Sequence, residues 1–318
     1  MRLRRSNPGR PGYGRRRSGR GFRYVDEHGR TLHDRAAVER IKALVIPPAW
    51  EDVWISPDPR GHIQATGRDV AGRKQYLYHE VWRTRQDSKK FDHALEVAAR
   101  LPKVRERLCG DLTGRGLTRD RVLAAMVRLL DLGMLRVGGD ESAQRDEDPS
   151  FGLTTLRPEH VRGKSGCVLL EFTGKSGIAH TVTVDDGEVC QVLRDLRRRR
   201  RDEDRLFAYY EGRRWHEIHA GDVNEYLRAA GMTAKDFRTW HGTAKAAASL
   251  AEKGPQPTKT ARKKAVAAAM RDVSEVLGNT PAVARSAYVD PRVVEKYEEG
   301  EVARNGSEKA VIELLADE

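Results

Sequence analysis

The stretch CVLLEFTGKSGIAHTVTV, Cys167–Val184, contains two β-prone apolar runs on either side of the short turn Gly174–Gly177. Its second run alternates apolar and polar residues, which is typical of a strand, because successive side chains of a strand point to opposite faces of the sheet. A tight turn with glycine at both ends suits the connection between two antiparallel strands. The stretch therefore predicts a β-hairpin.

Helical patterns surround this hairpin on both sides. Before it, Arg119–Leu132 repeats apolar residues at helical spacing. After it, further helices are predicted to begin at about Asp186, Ala220, Thr233, Thr258 and Pro281. Thr233 and Asp236 resemble a capping box, and Pro281 occupies the first position of its helix. Residues 89–300 are therefore predicted to form a mainly α domain with one hairpin inside it.

The N-terminal part has short β-rich segments instead. Phe22–Leu32, FRYVDEHGRTL, predicts two short strands around a glycine turn. A helix is predicted next from the spacing of its apolar residues Val38, Ile41, Leu44 and Val45. Pro47–His79 is punctuated by Pro and Gly and predicts further short strands. The predicted fold class is α+β: a small β-rich N-terminal domain, residues 22–88, followed by a larger mainly α domain.

The two ends of the chain carry opposite charge. Residues 1–20 contain eight arginines and no Asp or Glu, whereas residues 297–318 contain seven acidic and two basic residues. The first segment is also rich in Gly, Pro and Ser, so residues 1–21 are predicted to be a disordered basic arm, and residues 301–318 an acidic tail. Such an arm binds polyanions through counterion release; a merely solubilising role is the alternative.

Composition narrows the class of protein further. The 318 residues carry a formal charge of +12, which indicates a polyanionic partner such as DNA. No run of about 18 apolar residues is present and no apolar segment follows the first arginines, so neither a membrane span nor a secretory signal is expected. Cys109, Cys167 and Cys190 lack CxxC spacing, which favours free thiols in a reducing cytoplasm.

The sequence lacks the common nucleotide- and metal-binding motifs. GKS occurs at Gly163 and at Gly174, but Pro158 and Leu169 stand where a phosphate-binding P-loop needs its first glycine. HEVWR and HEIHA each lack the second histidine of a zinc-protease helix. We therefore expect a chemistry without a cofactor, ATP or a bound metal.

Four segments, taken together and in this order, resemble the type IB DNA topoisomerases in their compact bacterial and poxvirus form. They are LRVGGDE…FGLTTLR (Leu135–Arg157), EFTGKSG (Glu171–Gly177), KDFRTWHGT (Lys235–Thr243) and LGNTPAVARSAYVDP (Leu277–Pro291). Pro47–His79 also resembles the β-rich DNA-clamping domain of that family. The resemblance covers residues 22–300.

The resemblance implies five catalytic residues. Tyr288 is then the nucleophile that forms a 3′-phosphotyrosyl intermediate, and Arg136, Lys175 and Arg238 are the cationic catalytic residues. Asn279 lies where the poxvirus enzymes have histidine and bacterial relatives have asparagine. These residue types suit the reaction, because guanidiniums stabilise the charge that develops on phosphate and a lysine can protonate the leaving oxygen.

The resemblance also implies how DNA is bound and used. The segment KQYLYH would enter the major groove, with Gln75, Tyr76 and Tyr78 in contact with bases or backbone. One chain would act as a monomeric clamp on duplex DNA in the cytoplasm, associated with the nucleoid. It would relax supercoils of either sign by strand rotation and religate without ATP or metal.

Other interpretations of the same residues remain open at this point. A tyrosine site-specific recombinase shares this fold and chemistry, although recombinases typically have His-x-x-Arg where this chain has Lys235–Arg238. A non-catalytic DNA-binding protein would give Tyr288 no role. Taken singly, Tyr288 could be a packed side chain, and Asn279 could simply end a helix. Tyr76 and Tyr78 could lie on the buried face of a strand.

Overall fold

The computed structural model describes residues 1–133, 135–144, 148–164, 167–199 and 204–316. These residues divide into two compact units, which we call unit 1 (Met1–Lys90) and unit 2 (Phe91–Glu318). Unit 1 is built on a small β-sheet and unit 2 is mainly helical, which confirms the predicted α+β class. The division lies two residues after the boundary that was predicted at residue 88.

Unit 1 contains a five-stranded antiparallel sheet with the strand order β2-β1-β3-β4-β5. The strands are β1 (Tyr13–Ser18), β2 (Gly21–Val25), β3 (Glu51–Ile55), β4 (Ile63–Arg68) and β5 (Lys74–Tyr78). Helix α1 (Arg35–Ala43) begins after Asp34, whose carboxylate accepts two hydrogen bonds from backbone N–H groups. Ile41 of α1 packs in the core with Ile55 and Ala65 of the sheet.

The prediction that residues 1–21 form a disordered arm is wrong. β1 lies inside the sheet between β2 and β3, and the side chain of Arg15 is buried. Its guanidinium donates hydrogen bonds of 2.7–3.0 Å to the backbone carbonyls of Ile46, Pro47 and Trp50. A guanidinium can be buried when its donors are satisfied in this way, and a charge count alone does not detect that.

Two further predictions for unit 1 need correction. The segment Phe22–Leu32 contributes only one strand, β2, whose partner is β1; the second predicted strand is a single bridge between Val25 and Thr31. Helix α1 ends before Val45, because that residue has a positive φ of 47° and is 80% exposed.

Unit 2 contains most of the helices and two small sheets. Its helices are α2 (Glu80–Leu112, which begins before the unit), α3 (Arg119–Gly133), α4 (Asp140–Ala143), α5 (Gly187–Arg199), α6 (Ala220–Arg228), α7 (Ala234–Lys253), α8 (Lys259–Leu277), α9 (Pro281–Ala287), α10 (Pro291–Glu299) and α11 (Glu308–Ala316). Its strands are β6 (Val161–Lys164), β7 (Cys167–Thr173), β8 (Ala179–Val184), β9 (Ala208–Glu211) and β10 (Arg214–Glu217).

The predicted hairpin at Cys167–Val184 is confirmed. β7 and β8 pair antiparallel around the turn, and β6 adds a third strand beside β7. The core of the unit is centred on helix α3, in which Leu123, Met126 and Leu130 are fully buried. This helix contacts α5, α6, α7 and β8, so it supports the elements that carry the site described below.

A second hairpin, β9–β10, was not predicted. Its turn consists of Gly212 and Arg213, which both have positive φ, 57° and 67°. Two successive positive-φ residues are the requirement of the tightest hairpin turns, and Asn-Gly or Asp-Gly is their usual sequence signal. The pair Gly-Arg lacks that signal, so the pattern did not reveal the turn.

The predicted acidic tail, residues 301–318, is a packed part of unit 2 as far as it is described, to residue 316. Helix α11 buries Val311 and Leu315 against the core. Its first residue, Glu308, accepts hydrogen bonds from the guanidinium of Arg105 and from Nε1 of Trp240. The prediction counted acidic residues, but Glu308 is neutralised by a cation that lies 203 positions earlier in the chain.

Two expectations from composition can be compared with the described residues. Within them, no helix has both the length and the apolar character that crossing a bilayer requires. Cys109 and Cys190 are free thiols, exposed and buried respectively. The side chain of Cys167 lies outside the description.

Candidate active site

Helix α7 holds Arg238 inside unit 2. The helix begins after Thr233, whose backbone N–H donates to the carboxylate of Asp236, so the predicted capping box is present. Arg238 lies in the second turn and is only 5% exposed. Its Nη2 atom donates a 2.7 Å hydrogen bond to the backbone carbonyl of Leu277, the last residue of α8.

The C-terminus of α8 holds a second guanidinium beside the first. The helix ends in a left-handed turn at Gly278, with φ 57° and ψ 57°. The carbonyl of Gly278 accepts a 3.1 Å hydrogen bond from Nη2 of Arg136, next to the Leu277 carbonyl that binds Arg238. Carbonyls at a helix C-terminus carry the negative end of the helix dipole, so this single helix end binds two cations.

Arg136 is placed by the two segments that the sequence grouped, LRVGGDE and FGLTTLR, which lie side by side. The backbone N–H of Leu153 donates a 2.9 Å hydrogen bond to the carbonyl of Arg136. Gly138, with a φ of 94°, touches Gly152, and a Cβ on Gly152 would lie 2.6 Å from the nitrogen of Gly138. Side chains at these two positions would push the two segments apart. Both glycines are therefore needed to keep the backbone of Arg136 in place.

Tyr288 lies against the Arg238 guanidinium. It follows α9 directly, and its half-buried ring has its centroid 5.2 Å from Cζ of Arg238. Its carbonyl accepts a 3.1 Å hydrogen bond from Oγ1 of Thr243, and Oγ1 in turn accepts one from the N–H of Asp290. Thr243 lies on α7, so the same helix fixes Arg238 and the backbone at Tyr288.

The charges of this cluster favour an ionised phenol. Burial alone would raise the pKa of Tyr288, but the charge and hydrogen bond of Arg238, with the charges of Arg136 and Lys235, lower the pKa below its ordinary value. Burial and the charge of Arg136 lower the pKa of Arg238 itself, although Tyr288 partly offsets this. Two cations held close together therefore act on one tyrosine.

Asn279 brings an unsatisfied amide to the same helix end. It follows Gly278, and its Nδ2 and Oδ1 atoms are both buried without a hydrogen-bond partner among the residues that the structure describes. Leaving such groups buried costs about 1–3 kcal/mol. Asn279 does follow the end of a helix, as the alternative that it simply ends a helix requires. Ending the helix does not, however, involve the side-chain amide. An amide N–H in this position can donate to an oxygen of a bound ligand.

Lys175 belongs to a different element from the other four residues. It lies in the exposed turn between β7 and β8, and among the described residues no hydrogen bond or ion pair involves its ammonium group. The structure thus brings Arg136, Arg238, Asn279 and Tyr288 together at the end of α8, and leaves Lys175 on the neighbouring hairpin. In the part of the chain described, no group of three or more His, Cys, Asp or Glu side chains is arranged to hold a metal ion.

Comparisons with known proteins show which family the chain is similar to. The family model of the eukaryotic DNA topoisomerase I catalytic core matches residues 79–313, and that of the bacterial DNA topoisomerase IB N-terminal domain matches residues 21–69. The DNA topoisomerase 1B of Acanthamoeba polyphaga mimivirus is 30% identical over 272 residues, which are 82% of this chain and 80% of the relative.

The chain belongs to the type IB DNA topoisomerase family. The DNA topoisomerase 1B of vaccinia virus (strain Copenhagen) is a more distant relative, 21% identical over 273 residues and 82% of each chain. Membership of a family of type I DNA topoisomerases favours the enzyme over the recombinase and over a non-catalytic binding protein. The expected roles of the individual site residues are taken up below as proposals.

In unit 1, the three expected DNA-contact residues lie on strand β5. Tyr76 and Tyr78 are each 41% exposed, and their rings stack with centroids 6.0 Å apart, so the alternative of a buried face is wrong. Gln75 points to the other face of the strand, where its Nε2 donates a 2.9 Å hydrogen bond to Asp69. Of these three side chains, those of Tyr76 and Tyr78 are exposed and that of Gln75 is half-buried.

Sequence reasoning missed some residues that shape the site. Thr243 and Gly152 lie inside the quoted motifs, where only the charged residues had been singled out. Arg197, Arg198 and Arg199 are exposed in the last turn of α5.

Proposed function

We propose that the chain cleaves one strand of duplex DNA through Tyr288, relaxes positive and negative supercoils by strand rotation, and religates the strand without ATP or metal. The observation that carries this proposal is the position of the Tyr288 ring against the buried Arg238 guanidinium, beside Arg136. A phenol whose pKa is lowered by two neighbouring cations is suited to attack phosphate.

In the cleavage step, the Tyr288 hydroxyl gives its proton to solvent water and its oxygen attacks a backbone phosphorus. The bond from phosphorus to the 5′ oxygen of the next nucleotide breaks, so the phosphate remains on the 3′ end as an ester of Tyr288. The departing 5′ oxygen takes up a proton, which we assign to the Lys175 ammonium group. The number of phosphate ester bonds is unchanged, and the reverse reaction therefore reseals the strand without a nucleotide cofactor.

Arg136, Arg238 and Asn279 would bind the phosphate during this reaction. Negative charge on its non-bridging oxygens grows as the tyrosine attacks, and two guanidiniums stabilise it. The Gly278 carbonyl binds Arg136 through Nη2, so the other N–H groups of that guanidinium can donate to the phosphate. The buried amide of Asn279 supplies a further donor, and a bound phosphate would satisfy it.

Unit 1 would supply contacts to the DNA outside the reacting phosphate. The exposed rings of Tyr76 and Tyr78 are suited to phosphate or base edges, and we assign Gln75 to base contact only if it leaves Asp69. The exposed Arg16 and Arg23 lie directly opposite each other on β1 and β2, where two like charges repel, so a polyanion would stabilise the pair.

This arginine pair predicts the salt dependence of binding. Because residues 13–18 are part of the sheet, charge removal is a cleaner test than deletion of the N-terminal segment. Arg16→Gln with Arg23→Gln should lower the slope of log K against log salt by about 0.9 for each phosphate that the protein no longer neutralises. Arg35→Gln, at an exposed arginine already paired with Glu39, is the control and should leave the slope unchanged.

The proposed activity is tested by relaxation of a supercoiled plasmid in EDTA without ATP, with the wild type beside Tyr288→Phe. We expect the wild type to relax both negatively and positively supercoiled plasmid as a monomer, and the variant to bind DNA without relaxing it. A requirement for ATP or magnesium would contradict the proposed mechanism. Equal relaxation by both proteins would mean that another residue is the nucleophile.

A further inference from the structure

His180 lies between the Lys175 turn and the end of α8. It is on β8, directly opposite Phe172 of β7, and the two rings stack with centroids 5.1 Å apart. A Cβ added to Gly174, the residue before Lys175, would lie 2.5 Å from Cδ2 of His180. The imidazole therefore packs directly on the backbone at the start of the turn.

The adjacent edge of the same ring, which shares Nε2, touches the helix end that binds the arginines. A Cβ added to Gly278 would lie 2.5 Å from Cε1 of His180 and 3.0 Å from its Nε2. Gly278 is the residue whose carbonyl binds Arg136, and Asn279 follows it. The contacts of one imidazole thus join the hairpin to the cluster of the other four site residues.

The environment of His180 favours the uncharged form of its ring. Burial, and then the positive charges of Arg136 and Arg238, lower the pKa of the imidazole below its ordinary value of about 6.5. A neutral, flat ring can pack between a glycine turn and a helix end without repelling the two guanidiniums. A flexible or charged side chain would not provide this spacing.

We propose that His180 is a positioning residue that sets the distance between Lys175 and the phosphate held at the end of α8. The inference rests on the proposed function, because it assigns His180 an effect only through proton donation by Lys175. Lys175 lies in an exposed turn, which is closed by a 2.7 Å hydrogen bond from the N–H of Gly174 to the carbonyl of Ile178. The imidazole packs on Gly174 and so sets where this closed turn lies. A displacement of about 1 Å in such a group can cost about a hundredfold in rate.

The test compares two DNA substrates in single-turnover cleavage. One has the natural 5′ oxygen at the cleavage site, and the other has sulfur in its place. A thiolate leaves without a proton, so cleavage of the sulfur substrate no longer depends on Lys175. Both substrates still need Tyr288 and the phosphate-binding residues.

Two variants disturb the ring contact from different sides. His180→Ala removes the ring, and Gly174→Ala, at a residue with an ordinary φ of −92°, pushes a methyl group against it. Gly163→Ala is the matched control in the same sheet, because a Cβ at Gly163 would meet no atom of the described residues within 4 Å. Melting curves show whether each variant is folded, and Gly174→Ala carries the test if His180→Ala does not fold.

We expect both variants to cleave the oxygen substrate about a hundredfold more slowly, but the sulfur substrate less than about threefold more slowly than the wild type. Combining them should be less harmful than the product of the single effects, because removal of the ring makes room for the methyl group. Unchanged cleavage of the oxygen substrate, or equal losses on both substrates, would overturn the role of His180. A wild type that forms no covalent complex with either substrate would overturn the proposed function instead.

Discussion

Two arginines in unit 2, Arg238 and Arg105, have opposite environments. The carboxylate of Asp131 accepts hydrogen bonds of 2.8 and 2.9 Å from Arg105, and that of Glu308 accepts two more. These hydrogen bonds, first those to Asp131, raise the pKa of Arg105. Burial and the charge of Arg136 lower the pKa of Arg238. The positive charge of Arg105 is thus balanced by two carboxylates, whereas Arg238 lies beside a second cation, Arg136.

The contrast arises on one helix. His241 is bonded to Asp131 at 2.9 Å and lies three positions after Arg238 on α7, about one helical turn away. We call the hydrogen-bonded group Arg105, Asp131, Glu308 and His241 the carboxylate network. Through His241 it fixes the position of helix α7, which also carries Arg238. We infer that the network stabilises the fold. Arg136 and Arg238 at the end of α8 instead have an excess of positive charge, which would bind a phosphodiester.

The largest expected effect separates the two arginines by function. Arg238→Ala should slow single-turnover DNA cleavage by about a thousandfold, because a buried donor to the developing charge is lost, and should lower stability less than Arg105→Ala. Arg105→Ala should destabilise unit 2 by about 3 kcal/mol, because Asp131 remains buried without its main partner. Cleavage rates and urea unfolding of both variants measure this. If both variants lost cleavage rate and stability to the same extent, the proposed difference between the two arginines would be wrong.

Acid should reduce the stability that the carboxylate network gives to the fold. Burial alone would raise the pKa of Asp131, but hydrogen bonds from Arg105 and His241 lower it below its usual range. The stabilisation is therefore present above the unfolded pKa of about 4, and it is lost as the pH falls through the lower folded pKa.

Asp131→Asn tests that sign. The variant should be less stable than the wild type by about 3 kcal/mol at pH 7, and the gap should narrow below about pH 4. Urea unfolding at a series of pH values gives both curves. A gap that widens in acid would mean that Asp131 does not carry the lowered pKa.

A smaller catalytic effect is expected at the glycine contact behind Arg136. Gly152→Ala should slow cleavage by about ten- to a hundredfold, because its methyl group would push the backbone of Gly138 and shift the guanidinium. DNA binding should change little. Gly163→Ala serves as the control in single-turnover assays, and a full rate for Gly152→Ala would show that this contact does not set the position of Arg136.

The smallest effect concerns the charge around the phenol. Lys235 is exposed, and its charge is among those that lower the pKa of Tyr288. Lys235→Ala should raise that pKa, so the rise of the cleavage rate with pH should move to higher pH. Lys245→Ala, at another exposed lysine of α7, is the control. A shift to lower pH would contradict the electrostatic account of the nucleophile.

Local patterns predicted the local structure well. The turn Gly174–Gly177, the capping box at Thr233 and the start of α9 after Thr280 all follow from residues within a few positions of each other. The burial of Arg15 and the docking of Glu308 were missed for the opposite reason. Their partners lie about 31 to 203 positions away, and composition treats both residues as surface charge.

The candidate site shows the same division. The motifs supplied the identities of Arg136, Arg238, Asn279 and Tyr288, but no spacing indicated that the carbonyls at the end of one helix bind both guanidiniums. His180 was not singled out either, because its place between two glycines depends on how the hairpin meets α8. Such positions depend on contacts between segments that are distant in the chain. Local patterns in a single sequence do not reveal those contacts.

The central claim is that Tyr288 forms the covalent bond to DNA. It is tested most directly by trapping the protein on a nicked-strand substrate whose short downstream piece diffuses away, followed by trypsin digestion and mass spectrometry. Arg285 and Arg292 bound the peptide SAYVDPR, in which Tyr288 is the only tyrosine. We predict that this peptide carries the nucleotides through their 3′ phosphate. An adduct on another peptide, such as the one that begins at Tyr297, or a linkage to the 5′ end, would contradict the account.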